Sequence, residues 1–377
     1  MFTLAINAGS SSVKYAAFDA RLEPVARGIV ERVGQRGGPK DYTAALEIVV
    51  KRLAGAGIAG RAIDAVGHRV VHGGLAHTKP TRMTPPVVRQ LASLSALAPL
   101  HNPANVLGIR AALRLFPCPQ VAVFDTGFYH ALPEKAYRYA LSYALSVRLG
   151  IRRFGFHGIS HQYVYLKARG LLGRHATRRT ITCHLGNGCS VSAIKDGRAI
   201  DTSMGYTPLE GLMMGTRSGD LDPAIVEVLA SRLRCSTRQV VDTLNKRSGL
   251  LGVSGVGADM RDVLASASPR ARLAVEMYCY RLAKYIAAYT AALGGLDALV
   301  FTGGIGEHQP EVRSRACRQL GHLGVFIDRR QNYKNSGNIS RRESRVSVLV
   351  VPTDEERMIA QETRRCIHAK RHRLRGK

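Results

Sequence analysis

The sequence predicts an α/β protein in which one fold occurs twice. Three observations carry this reading. The chain has 377 residues, enough for two domains. β-rich runs and helical stretches are mixed along its whole length, as in layered α/β architectures. A strand, Gly-containing turn, strand pattern occurs once in each half. In the first half, Thr3-Leu4-Ala5-Ile6 leads through the small polar segment Asn7 to Ser12 into Val13 to Phe18. In the second, Thr180-Ile181-Thr182-Cys183 leads through His184 to Gly188 into Ser190 to Lys195.

Further strands are expected at Ala65 to Val71, Gln120 to Phe124, Ala298 to Phe301 and Arg345 to Val351. Helices are expected at Tyr42 to Ala56, Pro86 to Leu97, Asn102 to Phe116, Pro223 to Arg234 and Ala271 to Leu293. Asp222-Pro223 offers an N-cap followed by proline at the first helical position. The polar stretch Arg329 to Glu343, rich in Asn, Ser and Arg, reads as an exposed loop.

Hydrophobic residues make up 45% and charged residues 22%, so the chain can bury a core and is not of the disordered class. The most apolar helical run, Leu273 to Leu293, carries Glu276, Arg281 and Lys284, which argues against a membrane span. The start MFTLAINAGSSSVKY lacks the pattern of a signal peptide. The formal net charge is +28, which raises nucleic acid or another polyanion as a partner. Against that, the basic residues are spread over the chain, 43 of the 55 are Arg, and no aromatic pattern interleaves them for stacking on bases. The one dense run, Arg364 to Lys377, reads as a solvated tail. Seven cysteines with no CxxC pair imply neither a disulfide framework nor a zinc site, and fit a reducing cytoplasm.

Glycine turns beside polar residues recur as NAGSSS, HLGNG, GTRSGD and TGGIGE. Backbone amides freed by glycine can approach phosphate oxygens. None of the four matches a Walker loop or the dinucleotide fingerprint. Together with Lys14, Arg217 and Asp259-Met260-Arg261 they point to phosphate handling.

These blocks, in this order, carry a family resemblance. Asn7 to Lys14, Gly67 to Gly74, Leu97 to Pro103, Phe124-Asp125-Thr126, Gly155 to His161 and His184 to Gly188 are joined by Asp201 to Gly211, Gly215 to Asp220, Asp259 to Asp262, Gly303 to Glu307 and Pro352 to Glu356. Through them the chain resembles the acetokinase family, the acetate kinases, from residue 1 to about 363. The resemblance implies a duplicated actin/hexokinase-like (ribonuclease H-like) two-domain fold with an interdomain cleft holding the site. Its domains would span residues 1–128, completed by 356–377, and residues 129–355.

The implied activity is magnesium-dependent, reversible phosphoryl transfer from ATP to acetate, giving acetyl phosphate and ADP, with manganese a substitute for magnesium. The implied enzyme is a cytoplasmic homodimer. Asn7 and Glu355 match the family's metal positions, where a hard cation on phosphates needs only one or two protein oxygens. Arg69 matches the carboxylate-binding position, and Val71, Leu100, Phe156 and Pro208 match those around the acid's methyl group. Arg69 and Val71, two apart on an expected strand, would share a face. Asp125, His157 and Arg217 match catalytic positions. A carboxylic acid is already ionised at pH 7, so Asp125 is read as orienting magnesium or its waters, not as a base. Arg217 would neutralise the transferring phosphoryl group, as a permanently charged fork can. The matches to nucleotide contacts are Lys14, His184, Leu185, Gly186, Asn187, Gly188, Asp259, Met260, Arg261, Gly303, Gly304, Ile305, Gly306 and Glu307. His157 and His161, four apart, could suggest zinc, but no carboxylate lies between them and Gly158 weakens a helix there, so His161 is read as structural.

The chain departs from the family pattern at Tyr129-His130, Ile159, His308 and Asp354, and around Gln35 to Asp41, which looks trimmed. Asp354 adds a negative charge beside Glu355. Rival readings are a propionate or butyrate kinase of the same family, a polyanion-binding protein on an inactive kinase fold, and an actin-like ATPase. Val71 argues for the smaller acid, and Arg69 with Val71 argues against a plain ATPase.

Overall fold

The computed structural model describes residues 1–98 and 101–375, the side chains of 96 and 370–375 excepted. The chain forms two compact units. One contains Met1–His130, Phe156–Ser160 and the segment that starts at Asp354; the other contains Ala131–Gly155 and His161–Thr353.

Each unit is built on a six-stranded sheet, and the two sheets share one topology. The first comprises β1 (Phe2–Ala8), β2 (Ser12–Phe18), β3 (Pro24–Glu31), β4 (Ile63–Val70), β5 (Thr81–Arg82) and β6 (Gln120–Phe124), in the order β3-β2-β1-β4-β6-β5. The second comprises β7 (Arg179–Leu185), β8 (Cys189–Lys195), β9 (Arg198–Thr202), β10 (Ala298–Thr302), β11 (Gly337–Asn338) and β12 (Ser347–Val350), in the order β9-β8-β7-β10-β12-β11. In both, the first three strands form an antiparallel meander. In both, two parallel neighbours follow, and a short antiparallel edge strand precedes its partner in the chain. The paired hairpins are therefore a true internal duplication, β1–β2 answering β7–β8.

The parallel strands β6 (QVAVF) and β10 (ALVFT) are buried at every position, which is why they read as continuous apolar runs. Helices pack one apolar face against the sheets. In Tyr42–Gly55, Asp41 caps the amide of Ala44 at 2.9 Å and Ala45, Leu46, Val49 and Leu53 are buried. The long helix Pro269–Leu293 buries a stripe including Val275, Tyr278, Leu282, Ile286 and Leu293, and stops at Gly294 with φ of 72°. No helix among the described residues is long and apolar enough to cross a membrane.

Four sequence expectations change. The stretch Arg329 to Glu343 is not all loop: Asp328 caps a helix, Arg329–Tyr333, and Gly337–Asn338 pairs with β12. The helix expected from Pro223 runs over Ala224–Arg232, and the Asp222 carboxylate accepts from the Ala224 amide at 2.9 Å. A helix does begin at Gly158 and continues to Leu172. The basic segment from Arg364 is not a solvated tail at its start, because one helix spans Glu355–Arg375. Arg364 is buried there, donating to Thr3 Oγ1 and Ala20 O at 2.8 Å each and to the Phe18 and Asp19 carbonyls. That helix packs against β1, β4 and β6.

Candidate active site

In the first unit the expected residues gather at the carboxyl ends of the parallel strands, where α/β sheets expose their ligand-binding groups. Asn7 and Lys14 face each other across the β1–β2 hairpin. Arg69 lies on β4 opposite Val123 of β6. Asp125 follows β6, its amide still donating to the Val70 carbonyl at 3.0 Å. The fork of Arg69 closes on the Asp125 carboxylate, with Nε to Oδ1 at 3.0 Å and Nη2 to Oδ2 at 2.7 Å. Its Nη1 lies 3.5 Å from Glu355 Oε2. Burial raises the Asp125 carboxyl pKa and the Glu355 charge adds to the rise, while Arg69 opposes both. Burial also works against the Arg69 charge, but Asp125 and Glu355 outweigh it and hold the guanidinium firmly protonated.

Val71 is buried, but β4 ends at Val70. The Val71 amide leaves the ladder and donates to Asn105 Oδ1 at 3.1 Å, and Asn105 Nδ2 in turn donates to the Ala8 carbonyl at 2.7 Å. Strand alternation from Arg69 therefore does not reach Val71. Phe156 is buried, edge-on to the His72 ring at 5.6 Å, and its carbonyl accepts from Tyr129 Oη at 3.0 Å. His157 has φ of 57°, a left-handed conformation that a residue with a side chain rarely holds outside a constrained site. The next residue explains how the strain is kept. The Gly158 amide donates to the Asp125 carbonyl at 3.0 Å, and a Cβ at Gly158 would lie 2.2 Å from that oxygen. Gly158 is thus the close approach that ties His157 to Asp125. Leu100, expected at the methyl group, lies outside the described residues.

Asp354, the added charge beside Glu355, is neutralised. Its Oδ2 accepts from Arg27 Nη2 at 2.7 Å and Arg357 Nε at 3.3 Å, and its Oδ1 caps the Arg357 amide at 3.0 Å.

In the second unit, Gly186, Asn187, Asp259, Met260, Arg261, Gly304 and Ile305 line one cavity of about 580 Å³. These are half of the fourteen expected nucleotide residues. Ala258, His308 and Gln309 also line it; nothing in their spacing marked Ala258 or Gln309. Gly186 closes its turn on the Gly188 carbonyl at 3.1 Å. Leu185 is buried under that turn, and Gly303, with φ of 77°, sits where a Cβ would come within 2.8 Å of the Leu185 carbonyl. Gly306 is buried. Glu307 turns inward: its Oε1 accepts from the Gly303 amide at 2.8 Å, Thr353 amide at 3.1 Å and Thr302 Oγ1 at 3.2 Å. Arg261 pairs with Asp259, Nη2 to Oδ2 at 2.6 Å, and this hydrogen-bonded pair holds the Asp259 carboxyl down at about 2.

Arg217 is half-buried, and its Nη1 donates to the Pro208 carbonyl at 3.1 Å. No carboxylate pairs with it among the described residues, and burial lowers its pKa. The loop that carries Pro208 is braced by a pair that sequence spacing did not reveal. Arg153 Nη2 binds Glu210 Oε1 at 2.5 Å while its Nη1 donates to the Thr202 and Ser203 carbonyls at 3.0 and 3.2 Å. His184 lies on β7 with its ring 6.2 Å from that of His161. His161 is buried between Thr182 Oγ1 at 2.6 Å and Ser190 Oγ at 2.7 Å, a structural place. Among the described residues no group of three or more His, Cys, Asp or Glu is arranged to hold a metal.

The family model described as the acetokinase family matches residues 2–361. The chain belongs to the acetokinase family. It is 45% identical to an acetate kinase of Pseudothermotoga lettingae, over 98% of both chains. It is 46% identical to an acetate kinase of Halothermothrix orenii, over 98% of this chain and all of the other. The crystal structure of Porphyromonas gingivalis acetate kinase superposes with a TM-score of 0.89 at 43% identity, covering 97% of this chain and 99% of that one. A propionate kinase from Francisella tularensis superposes at 0.91 and 39% identity with the same coverage. The blocks that matched run in order along the chain, and within each unit residues from several of them meet.

Proposed function

We propose that this chain transfers the γ-phosphoryl group of ATP to acetate, reversibly, giving ADP and acetyl phosphate. The observation that carries the reading is the 580 Å³ cavity, in which three separate sequence blocks, 186–187, 258–261 and 304–309, meet in a chain of this family. Its glycine-lined wall suits a nucleotide, whose phosphates accept from backbone amides.

Arg69 would hold the acid's carboxylate through its planar fork, with Val71, Leu100, Phe156 and Pro208 enclosing the methyl group. It must first exchange the Asp125 contact for the substrate. The residues at Arg69 fit a cation. Asp125, Glu355 and Glu356 all act on that one guanidinium, so negative charge is in excess, and their donors are oxygens. Asn7 and Glu355 would hold magnesium, which when bound draws charge from the phosphates. Lys14 and His184 would lie along the phosphates. Arg217 and His157 would donate to the phosphoryl group in flight, and Asp125 would orient the metal's waters. Catalysis is then positioning and charge neutralisation, with no base.

We place the protein in the cytoplasm, where its seven cysteines, free in the structure, would remain reduced. A homodimer is supported by the second unit's apolar surface. Tyr143, Val147 and Leu149 of one short helix are each more than half exposed.

The propionate kinase likeness makes the three-carbon acid the second reading. Measuring kcat/KM for acetate, propionate and butyrate with magnesium and ATP decides it. Acetate should lead; a propionate preference would replace the substrate assignment.

A further inference from the structure

The helix Gly303–His308 supplies Gly304, Ile305 and His308 to the 580 Å³ cavity. Its sequence, GGIGEH, has three glycines in six residues and cannot hold a helix by propensity. Something else must fix it. At its start, the Glu307 carboxylate caps the Gly303 amide at 2.8 Å. At its end stands Arg313, from the next helix, Pro310–Arg318.

Arg313 is fully buried, and among the described residues no carboxylate pairs with it. Its hydrogen bonds go to neutral oxygens. Nη1 donates to the Gly306 carbonyl at 2.7 Å and the Glu307 carbonyl at 2.9 Å. Nε donates to Asn332 Oδ1 at 2.7 Å, and Nη2 to the Asn332 carbonyl at 2.6 Å and Asn335 Oδ1 at 2.7 Å. Asn332 is fixed in turn, its Nδ2 donating to the Pro310 carbonyl and Ser314 Oγ at 2.9 Å each. Burial pulls the Arg313 pKa down to about 10, so the guanidinium stays charged at neutral pH. A cation at carbonyls that the helix leaves unsatisfied complements both their hydrogen bonding and the helix dipole. A packing role alone would be met by an apolar side chain. The buried cation instead ties these two carbonyls to Asn332 and Asn335, which fixes the position of the turn.

We propose that Arg313 is a positioning residue for nucleotide binding: it touches no substrate and holds the glycine-rich wall at the place where nucleotide rests. The proposal depends on the reading that nucleotide occupies this cavity.

The test measures KM for ATP, KM for acetate, kcat and thermal midpoint on Arg313→Met, Arg313→Lys and Gly304→Trp. Gly304 lines the cavity and is exposed with open space around its Cβ, so a side chain can start there, and the bulk of tryptophan competes with a ligand for the cavity. Arg313→Met should raise KM for ATP tenfold or more, with kcat and KM for acetate within about threefold of wild type. Arg313→Lys, which keeps the charge and one donor, should fall between the two, and it carries the test if the methionine variant does not fold. Gly304→Trp should raise KM for ATP strongly. If Gly304→Trp does so and both folded Arg313 variants leave KM for ATP within twofold, the positioning role is overturned. If Gly304→Trp leaves KM for ATP unchanged, nucleotide does not use this cavity and both readings fall.

Discussion

Arg69 and Asp125 form a two-point ion pair, Nε to Oδ1 at 3.0 Å and Nη2 to Oδ2 at 2.7 Å, joining the ends of two adjacent parallel strands. Asp125 is almost wholly buried, so its charge depends on this partner. Arg69→Ala leaves that carboxylate uncompensated and should destabilise the protein by about 3–5 kcal/mol, the scale for breaking one side of a buried pair. Urea denaturation of Arg69→Ala, Asp125→Ala and the double variant checks this. The double variant should lose less than the sum of the singles.

Arg217 makes the opposite case. Among the described residues it has no carboxylate partner, and burial disfavours its charge. Arg217→Ala should therefore leave the thermal midpoint unchanged or slightly raised. Phosphoryl transfer should slow by roughly 10³-fold or more, the scale for removing an arginine that stabilises phosphoryl charge. A folded variant keeping a tenth of wild-type kcat removes Arg217 from the transfer step.

Acid specificity is tested at Val71, which is buried just past the end of β4. Val71→Ala opens room for one more methylene, worth roughly ten- to two-hundred-fold in kcat/KM. The propionate-to-acetate ratio of kcat/KM should rise on that scale. An unchanged ratio places Val71 away from the acid's methyl end.

His68 predicts a pH dependence of stability. It is buried on β4, and its Nε2 lies 2.7 Å from Gln120 Oε1. Gln120 Nε2 donates to the Ala112 and Phe116 carbonyls, so its oxygen faces the imidazole and Nε2 carries the proton of a neutral ring. Burial depresses the His68 pKa from 6.5 to about 4. Between these values the unfolded chain binds the proton and the folded one does not. Stability from this group is thus complete above pH 6.5 and falls until about pH 4, by about 3 kcal/mol in all. Unfolding free energies at pH 7, 6, 5 and 4.5 should show this fall in the wild type. His68→Gln should have a slope shallower by up to one proton; an equal slope assigns the effect elsewhere.

Much of this was legible in the sequence because it is local. The hairpins around Asn7 to Ser12 and His184 to Gly188 are written in strand propensity and turn glycines, and they appear as β1–β2 and β7–β8. Order along the chain also carried the family blocks. What the sequence hid is what only tertiary contact creates. Gly158 looked like a helix breaker, yet its missing Cβ is what lets the chain just after His157 close on the Asp125 carbonyl. Asp354 looked like an unbalanced charge until Arg27 arrived from 327 residues away. Arg364 read as part of a charged tail, but its acceptors lie on and after the first hairpin. Arg153 with Glu210, and Arg313 with Asn332, carried no motif at all.

The most direct test of phosphoryl transfer to acetate is hydroxamate trapping of acyl phosphate, run beside ADP release, on the purified protein with ATP, magnesium and acetate. The account predicts acetyl hydroxamate in one-to-one proportion with ADP, and loss of both when acetate is left out. ADP release that continues without acetate and yields no hydroxamate would make the protein an ATPase and contradict it.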